Sequence, residues 1–192
     1  MHSDLLAILA CPVCGGGLAE DANALRCATC GRSFPVSRGV PRFVGDGPTD
    51  YTENFSLQWN RFRRTQLDSF SGVPISEERF LRQTGWPPAA LAGRLVLDVG
   101  CGAGRFAEVA LKHGARVVAV DRSKAVEACI ENLGTSDRLL VLQADMFNLP
   151  LRAGAFDFVY CFGVLQHTPD FELSIQSLVR KAKPGGEIVV DF

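Results

Sequence analysis

The run Val96–Phe106, VLDVGCGAGRF, constrains the fold of this chain more than any other stretch. An apolar strand meets an acid and then glycines at Gly100, Gly102 and Gly104, so the backbone must turn sharply at the strand's carboxyl end and enter a helix. The residues that follow repeat the theme. Leu95–Val99 reads as a strand and Gly104–Lys112 as a helix; Arg116–Val120 is a second strand, followed by a helix around Ser123–Asn132. Leu139–Gln143 and Phe156–Phe162 are a third and fourth strand. Thr168-Pro169 reads as the N-cap and first position of a further helix, with Phe171, Ile175, Leu178, Val179 and Ala182 on one face. Pro184-Gly185-Gly186 is expected to stop that helix, and Glu187–Phe192 to begin a fifth strand. Near-continuous apolar strands alternating with helices predict a doubly wound α/β domain, its mainly parallel sheet covered on both faces. The sequence ends inside its last strand, and a bare apolar edge invites strand pairing, so a longer parent protein is expected.

Composition excludes several classes. No apolar run in the 192 residues approaches the ~20 needed to span a bilayer, and MHSDLLAILA lacks the basic flank of a signal peptide. A net charge of −1 exerts no global pull on nucleic acid. Of seven cysteines, Cys101, Cys129 and Cys161 are scattered singly through apolar segments, which suits a reducing, cytoplasmic setting.

The other four cysteines define a separate region. The expected division is a small domain over residues 1–45, a linker and helical cap over 46–94, and the α/β core over 95–192, with GDGPTD (Gly45–Asp50) as the join. Cys11 and Cys14 form one C-x-x-C pair and Cys27 and Cys30 a second, twelve residues further on. Each second cysteine is followed by glycine, which suits the tight turn that aims backbone N–H groups at the sulfurs. Two such pairs converge four thiolates on one tetrahedral ion, so a structural zinc is expected, leaving no open catalytic position. A core this short is otherwise marginal. LLAILACPVCGGGL with LRCATCGRSFPVSRGVPRF resembles the small zinc-ribbon family that includes methyltransferase-activating subunits. That resemblance covers roughly the first 44 residues and implies a protein partner or a fused methyltransferase.

The spacing G-x-G-x-G places Arg105 where a dinucleotide loop has its third glycine, and Asp98 two residues before the loop would repel a phosphate. An acid there suits an ammonium, and S-adenosylmethionine carries one without any phosphate. Asp121, at the tip of the second strand, is placed to accept from ribose hydroxyls; Asp145, after the third, is placed to accept from the adenine amino group, with Met146 or Phe147 against the ring. Each acid alone has a plainer reading as a strand end or helix cap.

Residues 95–192 resemble the class I S-adenosylmethionine-dependent methyltransferases, specifically the ubiquinone-biosynthesis type. VLDVGCGAGRF, VVAVDRS, LQADMFNLP and FDFVYCFGVLQH match four successive motifs, and LVRKAKPGGEIVV matches the helix-turn-strand that follows. The resemblance implies cofactor contacts at Asp98, Gly100, Gly102, Gly104, Asp121 and Asp145, with Met146 and Cys161 as further candidates. The family's sixth and seventh strands lie beyond this sequence. His167, in the loop after the fourth strand, is the candidate general base, its plainer role being to bond the entry of the next helix; Gln166 is a candidate for orienting substrate. His113 reads as a helix C-terminal cap.

In Phe55–Phe70, Phe55, Trp59 and Phe62 share a helical face, which reads as packing against the sheet in preference to a lid. Arg61, Arg63 and Arg64 form a basic cluster that, with the ribbon, offers a surface for RNA, although Asp68, Glu77 and Glu78 dilute it. The expected activity is methyl transfer to an O, N or C nucleophile of a small-molecule, lipid or saccharide-linked substrate. The alternatives are an RNA base methyltransferase and a non-catalytic partner of another methyltransferase.

Overall fold

The computed structural model describes residues 3–45 and 58–191. Phe55 and the join beyond Gly45 lie outside the described residues.

After a short helix α1 (Ser3–Leu6), four antiparallel strands form the amino-terminal sheet: β1 (Leu18–Asp21), β2 (Ala24–Cys27), β3 (Ser33–Ser37) and β4 (Val40–Pro41), in the order β1-β2-β3-β4. The β1–β2 hairpin spans the interval between the cysteine pairs, setting Leu18 opposite Cys27. The sheet's own core is small: Cys11, Cys27 and Phe34, with Leu18 and Phe43 against them. Leu5, Leu9 and Leu25 instead pack into the core of the larger sheet.

That larger sheet comprises β5 (Leu95–Val99), β6 (Arg116–Asp121), β7 (Leu139–Gln143), β8 (Phe156–Cys161) and β9 (Ala182–Val190), all parallel, in the order β7-β6-β5-β8-β9. Alternate residues serve its two faces. Leu97, Val99, Val118, Val120, Leu140 and Leu142 pack on one side, while Val96, Val117, Ala119, Val141, Phe158 and Tyr160 pack on the other. Helices α5 (Arg105–Lys112), α6 (Ala125–Leu133) and α7 (Phe171–Val179) follow β5, β6 and β8. Ahead of β5 lie α2 (Asp68–Ser71), α3 (Ile75–Thr84) and α4 (Pro88–Leu91), with α3 packed on α5. The strand order reverses at β5, which opens a crevice at the carboxyl ends of β5, β6 and β8. Among the described residues no helix is long and apolar enough to cross a membrane.

The ribbon covers the β7 edge. Arg42 bridges Gln143 in parallel, Phe43 N donates to Gln143 O at 2.8 Å, and Leu9 bridges Leu151. An edge that would otherwise present unpaired backbone is thereby closed.

The last helix departs from its expected form. It is capped by Asp170, whose Oδ1 accepts from Leu173 N at 2.9 Å, because the Thr168 hydroxyl is spent on Leu165 O at 2.8 Å. Phe171 and Val179 are exposed, and the buried face is Ser174, Ser177 and Leu178. Both serines bond to backbone carbonyls, of Asp170 and Met146, which removes the cost of burying them. Ala182 belongs to β9, and Pro184-Gly185-Gly186 sits inside that strand where its register with β8 shifts. A Cβ on Gly186 would lie 3.0 Å from the carbonyl oxygens of Phe156 and Asp157, so a bulge with glycine is what fits there.

Candidate functional site

A cavity of about 520 Å³ occupies the crevice at the reversal point, within the size range of small-molecule sites. The loop Gly100–Ala103 lies beneath it; Asp121–Ser123 and Ala144–Phe147 wall one side, and Phe162–Val164 with His167–Pro169 wall the other. Trp59, Gln66, Arg79, Arg105 and Phe106 complete the lining.

The glycines divide by role. Gly100 has φ +81°, and a Cβ there would meet Val164 Cγ2 at 2.2 Å, so the loop can pass under the post-β8 segment only without a side chain. Gly104 does not line the cavity; its absent Cβ lets α5 approach α6, where Leu133 Cδ1 and Cys129 Sγ would stand 2.8 and 3.0 Å away. Gly102 N donates to Asp121 Oδ2 at 2.9 Å.

Asp121 ties the site together. Its other oxygen accepts from Ser123 N at 2.8 Å and Ser123 Oγ at 2.7 Å. Burial raises its pKa, and the bonds from Ser123 and Gly102 oppose that rise. The loop N–H that a pyrophosphate would need is already committed to a carboxylate, so the loop is unsuited to a dinucleotide phosphate. Asp145 caps the short 3₁₀ turn Met146–Asn148 through Phe147 N, at 2.9 Å, and its other oxygen pairs with Arg122. Met146 and Phe147 both line the cavity. The side chains of that turn thus face the ligand space beside two carboxylates, an arrangement that fits an uncharged nucleoside.

Asp98 lies elsewhere than the spacing suggested. It is 3% exposed, paired in register with Ala119 and Tyr160, and does not line the cavity. Its Oδ2 and the Tyr160 hydroxyl are both buried without a hydrogen-bond partner among the described residues. Burial pushes its carboxyl up to about 8, and the Asp121 charge adds to the rise. Cys161 is likewise buried behind the wall. His167 does line the cavity, at the end of a 3₁₀ turn (Leu165–His167) whose His167 N donates to Val164 O, whereas Gln166 does not. His113 is the C-cap of α5, and its Nε2 meets Glu77 Oε1 at 2.6 Å.

Sequence reasoning assigned Trp59 to the sheet. Its ring instead lies over Gly102 at the cavity, 3.4 Å from where a Cβ would stand, while Phe62 is exposed. The aromatic spacing could not reveal this, because helical period fixes a face but not what the face meets. Arg79, Arg105 and Ser123 were also missed as lining residues; only the position of Arg105, directly after the glycines, hinted at it.

The four ribbon thiols converge as expected. Their sulfurs lie within 4.8 Å of one another, with Cys11–Cys30 at 3.8 Å and Cys14–Cys27 at 3.5 Å. A tetrahedron with Zn–S bonds of ~2.3 Å has edges of about 3.8 Å, so the donor set fits zinc. Gly15 and Gly31, at φ +74° and +72°, make the turns behind each pair. The Cys30 N–H lies 3.5 Å from Cys27 Sγ, a backbone donor that favours the thiolate a metal requires.

Comparison with known proteins agrees with this geometry. Residues 97–190 match the family described as a methyltransferase domain, and residues 2–39 match Trm112p-like protein. An uncharacterized chloroplastic methyltransferase of Arabidopsis thaliana is 27% identical over 95% of this chain and 60% of its own length. The ubiquinone biosynthesis O-methyltransferase of Coxiella burnetii is 36% identical over 51% of this chain and 43% of its own. The chain therefore spans about half the length of the curated relatives it matches. Among solved structures, a chain from a complex of the Haloferax volcanii Trm112 methyltransferase activator with a methyltransferase shares the fold. Its TM-score is 0.60 at 18% identity, over 75% of this chain and 61% of that one. Residues 97–190 thus match a methyltransferase domain and share the fold of an S-adenosylmethionine-dependent methyltransferase from Methanococcus maripaludis, in one chain with a match to Trm112p-like protein over residues 2–39.

Proposed function

We propose that this chain transfers a methyl group from S-adenosylmethionine to a nucleophile of a small-molecule, lipid or saccharide-linked acceptor. The observation that carries the reading is Asp121: one carboxylate holds the glycine loop through Gly102 and the following turn through Ser123, on the wall of the cavity. It would accept from the ribose hydroxyls, and Asp145 with Met146 and Phe147, which also line the cavity, would take the adenine. Gly100 and Gly102 would admit the ligand to the strand tip, while Gly104 lets α5 pack close to α6 and Asp98 and Cys161 stay buried off the cavity.

When bound, the sulfonium supplies an already activated methyl. The chain's residues then have to orient an acceptor and exclude water, and orientation alone is worth ~7–11 kcal/mol. Trp59, Phe106 and Phe162 would wall off solvent, and His167, on the cavity lining, would take up a proton leaving the acceptor. The ribbon (1–45) is read as a support acting in cis on the core (95–192) across the intervening segment 46–94. It does within one chain what the name of the Haloferax volcanii activator implies for its complex. A near-neutral charge favours a small acceptor over RNA, and the unpaired thiols suit a cytoplasmic setting.

Titration calorimetry with S-adenosylhomocysteine and NADH, on the zinc-loaded chain and on Asp121→Ala, tests this. The expected result is binding of the first ligand only, lost in the variant. Binding of NADH, or equal affinity in the variant, would overturn it.

A further inference from the structure

Residues 66–76, which include α2, form a loop closed at its root and apolar at its tip. Polar bonds fix the root. Ser76 Oγ donates to Gln66 O at 2.7 Å, and Ser76 N and Glu77 N donate to the two oxygens of Asp68 at 2.9 and 2.8 Å. Asp68 N in turn donates to Glu108 Oε2 of α5 at 3.0 Å, so the loop stands on a core helix. At the tip, Phe70, Val73 and Ile75 are each more than half exposed, and Gly72, at φ +71°, makes the turn between them. Single apolar residues on a surface need no explanation, but three on one short loop form a patch. The locked root keeps them from folding back onto the core.

The flank of the loop is aromatic and basic. In the turn leading into it, Phe62 is also more than half exposed. Arg61 lies 5.8 Å from the Phe62 ring centroid and Arg64 5.8 Å from that of Phe70. Among the described residues neither arginine has a carboxylate within ion-pair distance. The acids nearby are occupied: Asp68 at the root, and Glu77 by Lys112 Nζ and His113 Nε2, each at 2.6 Å. Glu78 is exposed and unpaired, one charge against two, so the flank is net basic.

A projecting tip of this kind is poorly suited to a folded partner, because a stable protein interface buries ~800 Å² on each side. A bilayer needs no complementary shape. It takes apolar side chains below its headgroups and holds arginines, with their stems buried, at anionic phosphates. We propose that the 66–76 loop docks this chain on an anionic phospholipid bilayer, with Phe70, Val73 and Ile75 entering below the headgroups and Arg61 and Arg64 meeting the phosphates. The docking is peripheral, since among the described residues no helix is long and apolar enough to cross a membrane. It also bears on the cavity. Gln66 is exposed and lines it, and Arg105, another lining residue, donates from Nε to Ser76 Oγ at 2.9 Å. Docking therefore sets the cavity beside the bilayer and selects the lipid among the acceptor classes. That selection rests on the methyl-transfer reading; the docking itself does not.

The test is co-sedimentation of the zinc-loaded chain with vesicles of phosphatidylcholine, alone or mixed equally with phosphatidylglycerol. Melting temperature and S-adenosylhomocysteine calorimetry, both without vesicles, are the controls. Wild type should sediment with the mixed vesicles, far less with phosphatidylcholine alone, and added salt should release it. Phe70→Ser with Ile75→Ser should weaken binding about tenfold to a hundredfold, and Arg64→Gln about fivefold on mixed vesicles only. Phe70→Trp should show quenching by bromine-labelled lipid chains that wild type lacks, which reports the depth of the tip. All variants should keep the melting temperature and nucleoside affinity of wild type. A wild type that stays in solution with both vesicles overturns the proposal, as does a double serine variant that binds equally well. A dimer that Phe70→Ser makes monomeric, with no vesicle binding, also overturns it and assigns the tip to a second copy. Vesicle binding by a chain without S-adenosylhomocysteine affinity supports the docking and removes the methyl-transfer reading alone.

Discussion

Every residue of Leu95–Val99 in the parallel sheet is buried, whereas β1 of the ribbon leaves three of its four residues exposed. The two regions meet the same entropic cost of ordering a chain by different means. The sheet buries apolar residues on both faces and needs nothing else. The ribbon buries Cys11, Cys27 and Phe34, too little for a free-standing core, and draws on a metal at one end and on the sheet at the other. Leu5, Leu9 and Leu25 count structurally with Met146, Leu149 and Leu151. The support runs both ways. Ala10 N donates to Pro150 O at 2.9 Å, Arg152 N to Ile8 O at 2.9 Å and Phe43 N to Gln143 O at 2.8 Å, so the ribbon grips both ends of the segment bearing Asp145, Met146 and Phe147.

The largest expected effect breaks the comparison outright if it fails. Structural zinc in small domains is worth ~10–16 kcal/mol, so chelation, or Cys11→Ser with Cys27→Ser, should unfold the ribbon and spare the sheet. Hydrogen exchange should show lost protection over β1–β4 with β5 and β6 unchanged, and S-adenosylhomocysteine affinity should fall as the 143–152 segment loosens. A ribbon still protected without metal would mean that burial alone suffices there.

A smaller effect sharpens the sheet's side. The Asp98 carboxyl titrates near 8 in the fold and near 4 when unfolded, so the folded state holds the extra proton between those values. Stability is fully present below pH 4 and declines as pH rises toward 8, by a few kcal/mol. Asp121, shifted the same way by burial, adds to the slope. Denaturant melts of the ligand-free chain at pH 5.5 and 8.0 should show the decline, flattened in Asp98→Asn. A slope of equal size in that variant would place the titration elsewhere.

The smallest lies at the seam. Arg42 donates to Gln143 Oε1 at 3.0 Å and pairs with Glu127 at 3.3 Å. Arg42→Met should cost about 1 kcal/mol in denaturant melts, since the Glu127 left behind is still reached by solvent and the aliphatic stem is kept. A loss of several kcal/mol would make the seam, and not the zinc, the main support of the ribbon.

The sequence by itself determined what depends on near neighbours. Strand and helix alternation, each C-x-x-C pair and the glycine turn are spacings of two to four residues, and such spacings set local geometry directly. Leu95–Val99 and Leu139–Gln143 end where the pattern says they end. Three features depended on residues far apart in the chain, and only the tertiary structure decided them. Asp98 and Asp121 read alike as strand-tip acids, yet the register of β5 with β6 and β8 buries one and turns the other to the cavity. Pro184-Gly185-Gly186 is a helix stop on any local rule, but pairing with β8 makes it a bulge within β9. Trp59 and Arg79 reach the site from elements more than twenty residues ahead of the glycine loop, and no periodicity records that meeting. Long-range packing overrides local preference wherever a side chain has two comparable places to go.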